Sequence, residues 1–404
     1  MNCTQRNVGI VTFVPDLWAE LWQSRHHVMR GLSAEFKVLW VSPAWYVETW
    51  RNQGVKAIGR RKGLEKVSQN LWAYAPRLPA DYKRSYVKSG LVPILFRRYN
   101  VWWKKAYAAR VRQLARSMGM GRIVLYIWRP EFAEYASLLP HELLCYHIDD
   151  EYGFDPDCDA PISPEETALL KKADLAFIHS KTLMAKKGHI NPNTHQVPNG
   201  VDFELYRRVI EEGQPEPPDL AAIPHPRIGY MGHIKRHLDL PLLREIATSR
   251  PDWHIVMIGP VRESHEDIKD DVAALRQQPN VHFLGGKAAT ELPRYVNGFD
   301  VGIMPYRHTN YTKYIYPLKM HEYFACGKPV VSTRLKNIEE FADILHFAEA
   351  AEDWTAAISN ALETDSADCR QARIQVAKNN SWKERVQIIQ GTVNNAMLGA
   401  AITE

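Results

Sequence analysis

The chain has 404 residues, of which 45% are hydrophobic and 24% are charged, and this length and composition predict two globular domains. The net charge of +5 comes from 51 Lys and Arg against 46 Asp and Glu, an excess too small to indicate a nucleic-acid-binding protein. Five cysteines without a CxxC pair argue against a disulfide framework and against a structural zinc site.

The amino-terminal stretch MNCTQRNVGIVTFVPDLW lacks the basic start, the apolar run and the cleavage site of a signal peptide. No run reaches the roughly 18 apolar residues that cross a bilayer. We therefore expect a cytoplasmic protein, with peripheral contact to the inner face of the membrane still open.

Short β-rich runs alternate with helical patterns along the first half of the chain. The predicted strands read VGIVTFV, FKVLWVS, RIVLYIW, ELLCYHI and DLAFIHS. The helix that begins after Ser163 has a capping box with Glu166 and a proline in its first turn. Alternating strands and helices indicate an α/β domain with a parallel sheet covered on both faces, which we assign to residues 1–206.

Residues 207–226 interrupt this alternation with five prolines and no periodic pattern, and we interpret them as a linker. The alternation then resumes with strands PRIGYMG, HIVMIGP, NVHFLGG, DVGIMPY and KPVVSTR. We assign residues 227–380 to a second Rossmann-like domain and residues 381–404 to a helix that crosses back to the first. Two such domains enclose a cleft, which is a common place for a ligand.

The second domain opens with a strand, a loop and a helix in RIGYMGHIKRHLDLPLLREIA. Gly232 allows the backbone to approach a ligand closely, and Lys235 and Arg236 lie in the loop before a helix that begins near Asp239. Basic residues beside the free N–H groups of a helix suit a diphosphate. The alternative is a tight strand–helix turn with two solvated basic residues.

A more specific pattern is PLKMHEYFACGKPVV, which begins at Pro317. The proline can begin a helix and Gly327 can end it, and Lys319 and Glu322 are three residues apart and share a face. The helix follows a strand, so its amino terminus opens at the edge of the sheet where α/β proteins bind ligands. Lys319 there favours an anion, and Glu322 could accept hydrogen bonds from a ribose. The alternative is an exposed Lys–Glu pair.

Several stretches in order resemble nucleotide-sugar glycosyltransferases of the GT-B fold, and among them glycosyltransferase family 4 and related enzymes of bacterial polysaccharide synthesis. The resemblance spans residues 179–333 and rests on HSKTLMAKKG, VPNGVD, RIGYMGHI, RPDWHIVMIGP, NVHFLGG, ELPRYVNGFDVGIMPY and PLKMHEYFACGKPVVST. It implies two Rossmann-like domains that face each other across a cleft, and a donor site in the second.

The resemblance also implies roles for single residues. Glu322 matches the glutamate that binds the nucleotide ribose, and the backbone at 284–286 matches the segment that lines the base. Lys235 or Arg236 falls near the basic residues that bind the donor diphosphate, and Lys319 could do the same; Lys235 is also a catalytic candidate. The family often has a second glutamate eight positions before the ribose glutamate, and this chain has Tyr314 there. The implied donor-binding set is Gly232, Arg236, Leu284, Gly285, Tyr314, Pro317, Leu318, Lys319 and Glu322.

Acceptor-side candidates lie in the first domain. Relatives often have a His-Asp pair where this chain has Asp149 and Asp150, with His147 two residues before. Either carboxylate could hold an acceptor hydroxyl or take its proton, whereas the alternative is helix capping or turn chemistry. His26 and His27 follow the first strand and are candidates for acceptor contact, with a structural or solvated role as the alternative.

Residues 82–122 carry eleven Lys and Arg, no acid and seven aromatic residues. Basic residues mixed with Trp and Tyr suit an anionic membrane surface or a lipid-linked diphosphate acceptor. No nucleic-acid recognition module accompanies them. The alternative is a partly buried helix pair with a solvated basic face.

The resemblance and the motifs predict transfer of a sugar from a nucleoside diphosphate-sugar to a hydroxyl of a glycan or lipid-linked acceptor. We expect retention of the anomeric configuration, no metal and no cofactor, because lysines and helix termini can stabilise the leaving diphosphate. The alternatives are a sugar-nucleotide 2-epimerase and a non-catalytic degenerate transferase that acts in an assembly complex.

Overall fold

The computed structural model describes residues 7–19, 22–43, 63–76, 92–153, 159–261 and 268–400, with the backbone alone at residues 92–100 and 400. Two parallel sheets of alternating strands and helices organise these residues, one in each half of the chain. The prediction of an α/β fold with two Rossmann-like domains is confirmed.

The amino-terminal sheet contains all five strands predicted for it. Its strands are β1 Val8–Phe13, β2 Lys37–Val41, β3 Gly63–Lys66, β4 Leu71–Ala75, β5 Arg122–Ile127, β6 Leu143–Ile148, β7 Leu175–Ile178 and β8 Thr194–Gln196. They lie in the order β3-β4-β2-β1-β5-β6-β7-β8, and within the described chain only the β3–β4 pair is antiparallel. The central strands are buried on both faces because helices cover both sides.

The carboxy-terminal sheet is parallel throughout and also contains its five predicted strands. Its strands are β9 Arg227–Met231, β10 His254–Ile258, β11 Val281–Gly285, β12 Val301–Met304, β13 Val330–Ser332 and β14 His346–Phe347. They lie in the order β11-β10-β9-β12-β13-β14. The strands β3, β4, β8 and β14 were absent from the sequence prediction; β3, β8 and β14 have no apolar run, whereas β4 reads LWAYA and was missed.

The helices connect these strands. In the first half they are α1 Ser24–Leu32, α2 Val92–Ser117, α3 Tyr135–Leu138, α4 Pro164–Lys172 and α5 Lys181–Lys187. In the second half they are α6 Phe203–Glu211, α7 Pro218–Ala221, α8 Leu240–Ser249, α9 Lys269–Arg276, α10 Leu292–Asn297, α11 Leu318–Ala325, α12 Ala351–Thr364, α13 Ala367–Asn379 and α14 Trp382–Ala400. The helix α8 begins next to Asp239, as predicted. Asp239 also caps it, because its carboxylate accepts a hydrogen bond from the backbone N–H of Leu242.

The capping box predicted for α4 forms only in part. The Ser163 hydroxyl accepts from the backbone N–H of Glu166 at 3.1 Å. The Glu166 carboxylate, however, accepts from the Nζ of Lys187 at 2.8 Å and from the Tyr146 hydroxyl at 3.1 Å. Glu166 and Lys187 are both buried, and a buried charge needs a partner more than a helix terminus needs a second cap.

The linker predicted at residues 207–226 requires correction. Residues 207–211 belong to α6, and residues 218–221 form α7. Phe203 and Tyr206 pack into the core of the carboxy-terminal domain, so the chain enters that domain before the prolines. Apolar residues at helical spacing in this segment outweighed its proline content, because burying them stabilises the helix.

The last helix packs on the amino-terminal domain. Val386, Ile389 and Val393 of α14 lie in the core formed with α1 and the first sheet. A Cβ on Gly31 of α1 would lie 2.5 Å from the side chain of Val386, so the glycine permits the two helices to approach closely. The chain therefore crosses between the domains twice.

Hydrogen bonds also join the two domains directly. The Asn337 carboxamide oxygen accepts from the backbone N–H of Thr182 at 3.0 Å. The Asn199 amide donates to the carbonyl of Tyr316 at 3.0 Å. Both asparagines are buried, and satisfied buried polar groups hold the domains in one relative orientation.

Two further observations concern the cysteines and the hydrophobicity of the helices. Cys145 and Cys326 are buried thiols and Cys369 is exposed, all three without a disulfide. None of the helices in the described part of the chain is both long and apolar enough to cross a membrane.

Candidate active site

A cleft of about 900 Å³ lies between the two domains. Residues that follow β1, β5 and β6 line one wall, and residues that follow β9 and β12 line the other. The carboxyl ends of both parallel sheets therefore meet at this cleft, as expected for α/β proteins.

Backbone turns without side chains shape the carboxy-terminal wall. Gly232 follows β9 with φ of 141°, and Gly259 follows β10 with φ of 140°. A Cβ on Gly259 would lie 2.0 Å from the carbonyl oxygen of Gly232. Only glycine adopts this conformation at such a close approach. Gly232 lines the cleft, where the sequence predicted a close approach of backbone and ligand, whereas Gly259 is buried behind it.

Lys319 of α11 lies beside this turn. Its Nζ donates to the Tyr306 hydroxyl at 2.5 Å and lies over the rings of Tyr230 and Tyr306, 5.2 and 5.0 Å from their centroids. Burial would lower the pKa of Lys319, but the two phenolic oxygens and Glu322 hold it above its ordinary value. Lys319 is therefore a fixed positive charge at the cleft.

Glu322 lies one turn further along α11 and also lines the cleft. Burial raises its pKa, whereas Lys319 and a hydrogen bond from Tyr206 lower it. The Lys–Glu pair predicted from sequence is therefore not an exposed pair. It presents one cation and one acceptor group from a single helix face to the same cavity.

Tyr311 connects the two walls. Its hydroxyl donates to the carboxylate of Asp150 at 3.3 Å, and its ring stacks on His237 with centroids 4.0 Å apart. The Nζ of Lys235 lies 5.6 Å from the centroid of the same ring. Lys235 thus faces Asp150 across the cleft, with Tyr311 between them.

The two adjacent aspartates have different environments. Asp149 accepts from Nη1 of Arg25 at 2.5 Å and from the Tyr152 hydroxyl at 2.7 Å. Burial alone would raise the pKa of Asp149, but these partners hold it below its usual value. Burial, together with the charge of Asp149, raises the pKa of Asp150 to about 6. Asp149 is therefore part of a structural ion pair, and Asp150 is the better proton acceptor near neutral pH.

The three candidate histidines do not come together. His27 lines the cleft and stacks on Trp382 of α14, with ring centroids 5.2 Å apart. Burial lowers its pKa to about 3, so its ring is neutral. His26 is packed against Trp18 and Trp40, behind the wall.

His147 is also buried behind the wall. Its Nδ1 forms a 2.8 Å hydrogen bond with the Tyr126 hydroxyl, and its ring stacks on Trp128 at 4.1 Å. The structure does not favour the acceptor contact predicted for His26 and His147, because both side chains are buried in the core. Their sequence position at strand and helix ends did not specify which face they occupy.

Of the other donor-binding candidates, all but Leu318 lie apart from the cavity surface. Pro317 is buried as the N-cap of α11. Gly285 ends β11, and its carbonyl accepts from the backbone N–H of Gly259 at 2.9 Å, with Leu284 before it. Tyr314 is buried and donates its hydroxyl to Asp159 at 2.6 Å. The cavity-lining residues of the described chain include Leu318 but not these four, nor Arg236.

Sequence reasoning missed several residues of the cleft. These are Arg25, Arg129, Tyr230, Tyr306 and Trp382. Arg129 lies two residues after the end of β5, so the rule that ligands bind at strand carboxyl ends could have found it. Trp382 gave no such signal, because it reaches the cleft only through the packing of the last helix.

Comparisons with known proteins agree with this architecture. Residues 225–364 match the family described as glycosyl transferases group 1. A putative teichuronic acid biosynthesis glycosyltransferase, TuaH of Bacillus subtilis, is 26% identical over 399 residues, which cover 90% of this chain and 91% of the relative.

Solved structures share the fold over nearly the whole chain. Sucrose-phosphate synthase from Thermosynechococcus elongatus matches with a TM-score of 0.68 and 14% identity, over 97% of this chain and 100% of that one. Anabaena HepE in complex with UDP matches with a TM-score of 0.64 and 14% identity, over 96% and 100%. The family match, the relative and the shared fold together identify this chain as a glycosyltransferase with the GT-B fold.

Proposed function

We propose that this glycosyltransferase moves a sugar from a nucleoside diphosphate-sugar to a hydroxyl of a glycan or lipid-linked acceptor, in the synthesis of a bacterial surface polysaccharide. The observation that carries the proposal is that the two domains present complementary groups to the same cleft. Lys319 and Glu322 face the cleft from one helix, and Asp150 faces them from the other domain.

The donor assignment rests on the carboxy-terminal wall. The Gly232 turn lets a diphosphate approach the backbone, Lys319 supplies a permanent positive charge, and Glu322 supplies acceptor oxygens for ribose hydroxyls. HepE, which shares the fold, has been solved in complex with UDP and with UDP-glucose. A uridine nucleotide is therefore the first donor to test.

The acceptor assignment rests on the opposite wall. Asp150, with its pKa raised to about 6, can hold an acceptor hydroxyl and take its proton near neutral pH. The relative named for teichuronic acid biosynthesis supports a glycan acceptor of the cell surface. We place the reaction in the cytoplasm, where nucleotide sugars are made.

The chain itself supplies charged groups that can stabilise the leaving group. Lys235 and Lys319 line the cleft, and two cations in a water-poor site can stabilise a departing diphosphate. We propose retention of the anomeric configuration and activity without a metal. Proton NMR of the first-formed product reports the anomer, and turnover after dialysis against EDTA reports metal dependence.

The membrane is proposed as a partner of α2. Its Tyr107, Val111 and Leu114 are buried in the amino-terminal core, so the face opposite them is turned outward. That outward basic face is defined here as Trp102, Lys105, Arg112 and Arg116, and Trp102 is 64% exposed. Lys105, Arg112 and Arg116 line one surface groove of about 380 Å³. A basic face with an exposed Trp suits an anionic lipid surface. Residues 82–91 of the predicted basic segment lie outside the described part of the chain.

A thermal-shift screen tests the donor assignment. The protein is mixed with UDP, GDP, dTDP, ADP and CMP and with their common sugar conjugates. A ligand that binds only the folded state raises the melting temperature, so one nucleotide should do so. No shift with any of them at millimolar concentration would contradict the proposal. Incubating the matching nucleotide sugar without acceptor then separates transfer from the 2-epimerase alternative, because only an epimerase would change the sugar.

A further inference from the structure

Arg129 lies on the amino-terminal wall of the cleft, and its buried Nε has no hydrogen-bond partner among the described residues. It is the second residue after β5, and the preceding Trp128 is fully buried. Its guanidinium lies over the ring of Tyr152, 4.9 Å from the centroid, and the side chain lines the cavity. The strand end and the aromatic ring therefore hold the cation in one place.

The described residues do not meet the hydrogen-bonding capacity of Arg129. Its Nε is buried and has no hydrogen-bond partner in the described chain, and its guanidinium forms no ion pair with a described carboxylate. Asp149, whose charge acts on Arg129, already has Arg25 at 2.5 Å and the Tyr152 hydroxyl at 2.7 Å. A buried donor without an acceptor is unfavourable, and an arginine has five donors to satisfy.

We propose that Arg129 binds an anionic group of the acceptor, a carboxylate or a phosphate, through paired hydrogen bonds. This rests on the proposed function, and it narrows the acceptor to an acidic sugar or a phosphate-linked glycan. The planar guanidinium matches both groups in a bidentate geometry. The ring of Tyr152 already orients it.

The position of Arg129 favours the acceptor over the donor. Lys319 and Glu322, which the donor is proposed to contact, lie on the opposite wall, whereas Arg129 follows β5 next to β6, the strand that leads to Asp150. An acceptor whose anion lies on Arg129 would therefore present its hydroxyls along the wall that carries Asp150. Arg25 cannot bind the anionic group of the acceptor instead, because Asp16 and Asp149 both form ion pairs with it.

Two pairs of probes test the proposal. Octyl glucuronide and octyl glucoside differ by a carboxylate, and glucose 6-phosphate and glucose differ by a phosphate. Affinities are measured by calorimetry with and without UDP, for the unmodified chain and for Arg129→Gln, Arg129→Lys and Arg244→Gln. Arg244 is an exposed arginine on α8, outside the cleft.

The unmodified chain should bind the anionic member of one pair about tenfold or more tightly than the neutral member, as a charged hydrogen-bonded pair implies. Arg129→Gln should lose that preference and keep its affinity for UDP, while Arg244→Gln keeps both. Arg129→Lys retains the positive charge but not the planar guanidinium that forms paired hydrogen bonds, so it should keep only part of the preference for the anionic probe. The pair that responds tells carboxylate from phosphate.

Two results would overturn the proposal: equal binding of anionic and neutral probes, or a preference that survives in Arg129→Gln. Melting temperatures show whether that variant folds, and Arg129→Lys serves if it does not. Failure of the unmodified chain to bind UDP would instead count against the donor assignment. The probe pairs measured without UDP would still decide the role of Arg129.

Discussion

The hydroxyl of Tyr314, in the carboxy-terminal domain, donates to the carboxylate of Asp159, in the amino-terminal domain, at 2.6 Å. Lys186 and Lys313 each reach the same carboxylate at 2.8 Å. Hydrogen bonds from Lys186, Lys313 and Tyr314 together lower the pKa of Asp159. Tyr314 occupies the position where similar transferases often have a second glutamate. In this chain it joins the domains beside the cleft.

Replacing Tyr314 with phenylalanine should loosen the contact between the domains. The variant loses the bond to Asp159 but keeps the buried ring, so we expect a broader distribution of domain separations by small-angle X-ray scattering. Each domain should remain folded. Tyr295→Phe is the matched control, because the Tyr295 hydroxyl donates to Asp219 at 2.8 Å within one domain. Identical scattering of Tyr314→Phe and the unmodified chain would contradict the proposal that the Tyr314–Asp159 hydrogen bond holds the two domains together.

Replacing Glu322 with glutamine should weaken binding of the donor nucleotide by about tenfold or more, because a charged acceptor for ribose hydroxyls is lost. Calorimetry with UDP and with 2′-deoxy-UDP checks this. If Glu322 binds the ribose, the variant should discriminate less between the two nucleotides than the unmodified chain does. Glu363→Gln, on the exposed face of α12, should behave like the unmodified chain. Undiminished discrimination would contradict the ribose assignment.

The activity should decline in acid because of Asp150. Its pKa is raised to about 6 by burial and by Asp149, so the carboxylate is ionised above that pH and protonated below it. As a proton acceptor it then fails below pH 6, and kcat/KM should fall about tenfold per pH unit there. This is measured as a pH profile of initial rates.

Asp150→Asn tests the same assignment. It should reduce kcat by roughly a hundredfold or more, the range typical of a lost general base, and its remaining activity should lack the acid limb near pH 6. Asp252→Asn, at an exposed aspartate of the other domain, is the control and should keep the profile. An acid limb that persists in Asp150→Asn would assign the titration to another group.

Replacing Gly259 with alanine should destabilise the carboxy-terminal domain. The new Cβ would lie 2.0 Å from the Gly232 carbonyl oxygen, at a φ of 140°. Backbone strain of this kind costs about 1–3 kcal/mol before the clash is counted. Gly213→Ala is the control, because Gly213 also has a positive φ but has nothing within 4 Å of an added Cβ. The melting temperature should fall further for Gly259→Ala than for Gly213→Ala. Equal decreases would show that the backbone at Gly232 moves away from the added Cβ at little cost.

The outward basic face of α2 should bind anionic vesicles. A triple variant with glutamine at Lys105, Arg112 and Arg116 should bind phosphatidylglycerol vesicles more weakly in co-sedimentation, because each charge near such a surface contributes about 1 kcal/mol. A second triple variant with glutamine at Arg207, Arg208 and Lys378 is matched in charge and lies along another surface groove. Equal losses in the two variants would indicate a general charge effect rather than a docking face.

Some features of the cleft could be predicted because they are local. The glycine after β9, the lysine and glutamate three residues apart on α11 and the aspartates at the end of β6 each follow from a strand end and a helix period. The structure brings Gly232, Lys319, Glu322 and Asp150 to one cavity. Their chemical roles stay predictions.

Other features depended on contacts between distant parts of the chain. Tyr311 meets Asp150 across 161 positions, and Trp382 meets His27 only because α14 packs beside α1. The burial of His26 and His147 also depends on which neighbours surround them, and a period along one strand or helix does not report that.

The sequence by itself determined ten of the fourteen described strands in their order, the two parallel sheets and the edge at which ligands bind, because apolar periodicity and strand direction are local properties. Only the tertiary structure decided which charges are satisfied. Arg25 neutralises Asp149 and leaves Asp150 with a raised pKa, whereas the buried Nε of Arg129 has no hydrogen-bond partner in the described chain. The physical reason is that burial and electrostatic pairing depend on distances of a few ångströms between groups far apart in sequence.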